Sequence, residues 1–139
     1  MGYRFVDHTA DVAADVTGAT LDELFASAAA ALTDVITDRG EVRASGHIPV
    51  ALSAATVEDL LVDWLNELLY VFEVRRFLTA DADVHVTADA PPRLEAIARG
   101  EPQDAARHPI RVLVKGATYH ALRIQHADEG WQARIVFDV

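Results

Sequence analysis

Cysteine is absent from the 139-residue chain, and lysine occurs once, at Lys115. Without thiols there is no disulfide framework, no thiolate metal site and no cysteine nucleophile. That composition suits a reducing compartment. The N-terminal Met1-Gly2-Tyr3-Arg4-Phe5 has no apolar leader core, and no apolar run approaches the ~20 residues that cross a bilayer. A cytoplasmic protein with no membrane partner is expected. Clustered positive charge is missing too: the longest Lys/Arg run is Arg75-Arg76. Twelve cations face 22 acids, for a net charge of −10. Such a surface repels phosphodiester backbones and lacks the basic footprint of nucleic-acid binders. Tight direct binding of RNA or DNA is therefore not expected, although an acidic protein can dock on a basic partner. Also missing are a Walker A loop, Gly-x-Gly-x-x-Gly, His-Glu-x-x-His and Gly-x-Ser-x-Gly. Self-contained NTP hydrolysis, dinucleotide chemistry and serine-hydrolase chemistry have no support.

What is present reads as one globular domain over residues 1–139, since 51% hydrophobic and 24% charged residues form an ordinary core-forming balance. Arg4-Phe5-Val6 and Val12 to Thr17 read as short strands split by the Asp7–Asp11 loop. Thr20 and Glu23 form a Thr-x-x-Glu capping box, followed by Leu21, Leu24, Phe25, Ala28, Leu32, Val35 and Ile36 at helical spacing. Gly40 is the expected stop. His47 to Leu52 reads as a strand. Thr56 caps a second helix whose stripe is Val57, Leu60, Leu61, Trp64, Leu65, Leu68 and Phe72. Strands are expected at Asp81 to Ala88, Leu94 to Arg99 ending at Gly100, Ile110 to Lys115, Tyr119 to Gln125 and Trp131 to Val139. Pro91-Pro92 marks a turn, and Ala127-Asp128-Glu129-Gly130 a hairpin turn. Two helices among roughly eight strands in hairpin-like succession indicate an α+β fold with mainly antiparallel sheet. A faint strand–helix–strand rhythm recurs in each half.

The most informative residues lie at the two ends, Asp7-His8-Thr9-Ala10-Asp11 and Asp138-Val139. If the terminal strands pair, Asp11, Asp138 and the α-carboxylate of Val139 converge. Three hard oxygen donors suit a calcium- or magnesium-class ion. Taken alone, the Asp7–Asp11 loop reads more ordinarily as turn residues bonding their own backbone. His8 reads as structural support rather than a ligand. Asp34 and Asp38 oppose the dipole of the first helix at a cost of a few tenths to about 1 kcal/mol. Asp59, Asp63 and Glu67 share one helical face and read as a solvated surface. Lys115-Gly116-Ala117-Thr118-Tyr119-His120 carries the lone lysine beside a glycine that permits close approach.

These motifs, in this order, resemble the archease family. The resemblance rests on the Asp7–Asp11 loop, Thr20-Leu21-Asp22-Glu23-Leu24-Phe25, Val35-Ile36-Thr37-Asp38, Leu60 to Tyr70, Ala98-Arg99-Gly100-Glu101, Lys115 to His120 and Val136 to Val139. Leu60-Leu61-Val62-Asp63-Trp64-Leu65-Asn66-Glu67-Leu68-Leu69-Tyr70 looks like the family's central helix almost verbatim. Archeases are accessory activators of the GTP-dependent RtcB-type RNA ligase of tRNA splicing and RNA repair. The resemblance implies a non-catalytic protein that promotes ligase guanylylation and multiple turnover. It implies a divalent-metal site on Asp11, Asp138 and Val139, for Ca2+, Mg2+ or Mn2+. It also implies that Asp38 and Lys115 matter for activation, with His8 and His120 in support. Gly116 and Ala13-Ala14 depart from the family's usual residues. A stand-alone metal-dependent phosphoesterase and a chaperone-like module for RNA-processing proteins are the rival readings.

Overall fold

A computed structural model describes residues 2–6, 11–119 and 122–139. The described elements run β1 (Gly2–Val6), β2 (Asp11–Gly18), α1 (Leu21–Ile36), a single 3-10 turn (Arg39–Glu41), β3 (Gly46–Ser53), α2 (Val57–Arg75), β4 (Phe77–Thr87), β5 (Arg93–Pro102), β6 (Gly116–Thr118), β7 (Ile124–Ala127) and β8 (Gly130–Asp138). Two antiparallel sheets result. One is five-stranded in the order β1-β2-β8-β6, with β7 also on β8; the other is three-stranded, β3-β5-β4. The α+β class expected from the sequence is the observed one.

Side-chain alternation explains why the two sheets share a core. In β2, Ala14 and Val16 face inward, and in β8 Ala133, Ile135 and Phe137 do the same. They meet Leu24, Phe25, Ala28 and Leu32 of α1, while Val50, Leu78, Leu94, Ala96 and Ala98 join the same cluster from the second sheet. Trp64 of α2 is fully buried, and its indole N–H donates to the Phe25 carbonyl at 3.0 Å. That bond satisfies the polar end of a large core residue and locks α2 to α1.

Helix α1 starts as its capping motif dictates. The Thr20 hydroxyl accepts from the Glu23 amide at 3.2 Å, and Glu23 Oε2 accepts from the Ala19 amide at 2.8 Å. Its end differs from expectation. The helix stops at Ile36, capped by Thr37, and Gly40 lies inside the 3-10 turn without a positive φ. The stop is made from a distance: the Arg111 guanidinium donates to the Thr37 carbonyl at 2.6 Å and also to the Asp34 carbonyl. A cation at a helix C-terminus satisfies orphan carbonyls and complements the dipole. Asp34 is pinned by the same group, by the Tyr3 hydroxyl at 2.9 Å and by the Arg39 amide at 3.2 Å. It is a structural hub, so its position against the dipole is compensated.

Residues 110–115, expected as a strand, join no sheet. The Arg111 amide bonds Ile36 and the Lys115 amide bonds Asp138. Arg111, Leu113 and Lys115 are exposed while Val114 is buried. The alternation thus records one-sided burial along a strap, without a ladder partner. Strand β5, expected to end at Gly100, continues to Pro102, and residue 100 is glycine because a Cβ there would sit 1.8 Å from the Leu78 carbonyl oxygen. Glycine permits that close crossing beside the register shift at Thr79/Asp81 in β4.

Just beyond, Glu101 is buried and receives both Arg107 terminal nitrogens at 2.7 and 2.9 Å, with the Arg43 amide at 2.8 Å. His108, fully buried, accepts the Asp104 amide on Nδ1 at 2.8 Å. That lone pair leaves its proton on Nε2, which faces Glu101 Oε2 at 3.1 Å and the Glu41 carbonyl at 2.9 Å. The Arg107 guanidinium holds the Glu101 carboxyl down at about 2, against the opposing pull of desolvation. A depressed carboxyl stabilises the fold fully above its unfolded value and loses that contribution as pH falls through the folded one. The Glu101 share is therefore expected to be lost between pH 4.5 and about 2. Chemical denaturation across that window should show a flatter acid limb for Glu101→Gln than for the wild-type chain. Identical limbs would contradict the assignment.

Candidate functional site

The two ends of the chain meet in the five-stranded sheet. Strands β2 and β8 are antiparallel over their lengths, and the last register pair is Asp11 with Asp138. Residues directly opposite share a sheet face, with Cβ atoms roughly 4.5–5.5 Å apart. Asp11 is half-buried and Asp138 is exposed. Val139, next in line, is 36% exposed.

Strand β6 flanks Asp138 on its other side, with Gly116 opposite it. The Lys115 amide donates to the Asp138 carbonyl at 2.7 Å. Asp138 is thus held between two strands, which fixes its backbone far better than a frayed end would. The Lys115 side chain is exposed and forms no ion pair among the described residues. Gly116 has a local reason. Asn66 of α2 accepts the Ala117 amide through Oδ1 at 2.9 Å, and a Cβ at 116 would lie 3.3 Å from that oxygen. Asn66 ties β6 to α2 and was not singled out by the sequence reading; its one signal is an amide among the acids Asp59, Asp63 and Glu67.

That acidic face is less solvated than expected. Asp59, Asp63 and Glu67 are all half-buried. Glu58 Oε2 accepts the Ile124 amide at 3.2 Å. Burial raises the Tyr119 hydroxyl pKa, and the charges of Asp63 and Asp59 raise it further. Through Glu58 the start of β7 is tied to the first turn of α2.

Asp38 is placed elsewhere. It is exposed, and its Oδ1 accepts the Gly40 amide at 3.0 Å, capping the 3-10 turn. No hydrogen bond or ion pair joins it to Lys115 or Asp138 among the described residues. His8 and His120 lie outside the described residues.

Among the described residues no group of three His, Cys, Asp or Glu side chains converges. The register sets the carboxylates of Asp11 and Asp138 on adjacent strands, with Val139 next in the chain. All supply hard oxygens, which suits a calcium-, magnesium- or manganese-class ion better than zinc or copper. The residues fit such a group, as an open site needing further ligands from water or a partner.

A family model described as the Archease protein family (MTH1598/TM1083) matches residues 3–139. The chain belongs to the archease family. It is 36% identical to protein archease of Methanosarcina acetivorans over 139 residues, covering 99% of this chain and 95% of that one. Identity is also 36% to protein archease of Archaeoglobus fulgidus, with both chains fully covered. The solution structure of Methanobacterium thermoautotrophicum protein 1598 superposes with a TM-score of 0.82 at 31% identity, covering 99% of each chain. A Thermotoga maritima archease, described as a possible chaperone, shares the fold with a TM-score of 0.64 at 16% identity, covering 96% and 94%. No described helix of this archease is long and apolar enough to cross a membrane.

The tie from α2 to β6 can be checked directly. Asn66→Ala strands the Ala117 amide and should cost about 1–3 kcal/mol. Faster hydrogen exchange at Ala117 than at core amides of α1 is expected. Unchanged exchange at Ala117 would show that Asn66 does not hold the strand.

Proposed function

We propose that the chain is an accessory activator of a GTP-dependent RtcB-type RNA ligase, serving tRNA splicing and RNA repair in the cytoplasm. It promotes guanylylation and multiple turnover of the ligase and performs no ligation itself. The observation that carries this reading is the opposed pair Asp11 and Asp138 at one end of the five-stranded sheet. Like charges directly opposite on paired strands are destabilising. A sheet that keeps two of them at an accessible end is well suited to receive a cation. The family shown by the comparisons supports the choice of partner.

Asp11 and Asp138 would hold a divalent ion with an oxygen of Val139. When bound, such an ion supplies positive charge that neutralises and orients phosphate oxygens. The protein's own contribution is positional. Strands β2 and β6 fix Asp138 from both sides, and the Lys115 amide locks its carbonyl. Lys115, exposed and one residue from the Gly116 that pairs with Asp138, would bring a point charge suited to phosphate at a partner's active site. Asp38, engaged at the far end of α1, acts on a separate part of the docking surface. The net charge of −10 favours encounter with a basic protein over direct RNA contact.

A stand-alone phosphoesterase is disfavoured because it would need cationic groups beside the carboxylate pair, and the segments around that pair, residues 5–17, 112–119 and 135–139, hold one lysine and no arginine. A chaperone-like role has one specific point in its favour, the description of the Thermotoga relative. The two separate in one assay. Purified ligase is incubated with GTP, with and without this protein, and its guanylylation is followed over time. Asp11→Ala and Asp138→Ala should each lose stimulation by at least about tenfold, as expected for removing a group bonded to a charge. Chelation should act in the same direction. Full stimulation by both variants, with ligase kept soluble, would favour the chaperone reading and end the metal one.

A further inference from the structure

The outer face of the five-stranded sheet carries a second feature, four residues along β2 from Asp11 and so about 13 Å away. A cavity of about 890 Å³ opens there, lined among others by Arg4, Asp15, Arg123, Gln125, Gln132 and Arg134. The register explains the grouping. Arg4 lies opposite Asp15 and Asp15 opposite Arg134, so β1, β2 and β8 place the three side chains in one transverse row. The next row is Gly2, Thr17, Gln132 and Gln125. Gly2 contributes no side chain, which leaves that corner open.

The charge of this basin is opposite in sign to that of the chain as a whole. Among the described residues that line it, Asp15 is the sole carboxylate, against three guanidinium groups. An excess of two positive charges thus sits in a chain whose net charge is −10. Asp15 orients two of these groups. Arg134 donates to it through Nε at 2.7 Å and Nη2 at 3.0 Å, and Arg4 donates through Nη2 at 2.9 Å. Most of each fork's N–H donors therefore remain available, on side chains 76% exposed for Arg4 and 50% for Arg134. Arg123 enters from the edge beside β7 and has no ion-pair partner among the described residues. An ordinary surface pair would end with Asp15 neutralised. Here a third, unpaired guanidinium adds to an already cationic row.

We infer that this basin is a binding site for a small phosphate-bearing anion, of the phosphomonoester or diphosphate class. Planar guanidinium forks match phosphate oxygens in pairs. Two excess charges balance a phosphate dianion. Gln125, Gln132 and Thr17 supply neutral hydrogen-bonding groups at the rim. The volume falls within the range of small-ligand sites and exceeds what a lone inorganic ion would fill. Pinning by Asp15 reduces the side-chain ordering cost of binding. The Arg134 guanidinium is the main cause that keeps the Asp15 carboxyl down at about 2, so the pin persists well below neutral pH.

Pyrophosphate is the probe, titrated into the full-length chain at fixed ionic strength with a chelator present, so that divalent ions and the Asp11–Asp138 pair cannot contribute. Saturable NMR shifts confined to the Arg4, Arg123 and Arg134 side chains and their strands are expected. Arg123→Ala, which breaks no described contact, should weaken binding about tenfold or more. Arg93→Ala on β5 makes the same charge change elsewhere and should leave affinity within twofold. Thermal melts of both variants verify folding. Absence of saturable shifts would overturn the proposal. So would equal losses in the two variants, or tighter binding of a glutamate-rich hexapeptide than of pyrophosphate.

Discussion

The pairing of β2 with β8 is the constraint on which the rest depends. It unites the beginning and end of the chain, supplies the inward row of Ala14, Val16, Ala133, Ile135 and Phe137, and sets the outward row on the opposite face. A slip of one residue would turn Phe137 out to solvent and Asp138 into the core. The cost of that exchange fixes the register strongly. Because the same register aligns Asp11 with Asp138 and Asp15 with Arg134, both polar clusters inherit their geometry from hydrophobic burial.

Around that pairing the polar groups do structural work over long sequence distances. Arg111 ends α1 from the strap before β6, Trp64 joins the helices through a carbonyl, and Glu101 gathers Arg43, Arg107 and His108. Each contact satisfies a group whose burial without a partner would cost on the order of 1–3 kcal/mol. The strap itself is anchored at both ends, to Ile36 and to Asp138. The α1 C-terminus and the carboxylate pair are thereby joined through one short segment.

Much of this was legible in the sequence because it is periodic or local. The capping residues Thr20 and Thr56, the stripe of α2 and the alternation of β8 are read from neighbouring residues, and the structure places them accordingly. The adjacency of Asp11 and Asp138 could be anticipated only by supposing that the terminal strands pair. What escaped has a non-local cause. Nothing near Ile36 announces that Arg111 will cap it, so Gly40 looked like the natural stop. Residues 110–115 alternate as a strand does, yet only the tertiary structure decides that their amides bond a helix end and Asp138. Arg76 closes α2 in the left-handed region with φ 55°, a place where sequence alone leads one to look for glycine. Asn66 and the Arg4–Asp15–Arg134 row are likewise visible only once strands from distant parts of the chain lie side by side.

The separation of β2 and β8 along the chain also has a temporal consequence. During synthesis Asp11 leaves the ribosome long before its strand partner Asp138. Loop closure of that span must wait until β8 has been made, and non-local pairings of this kind form late. A product stalled before β8 would lack the opposed carboxylates. Assembly order alone thus keeps an unfinished chain from presenting this end of the sheet to a partner.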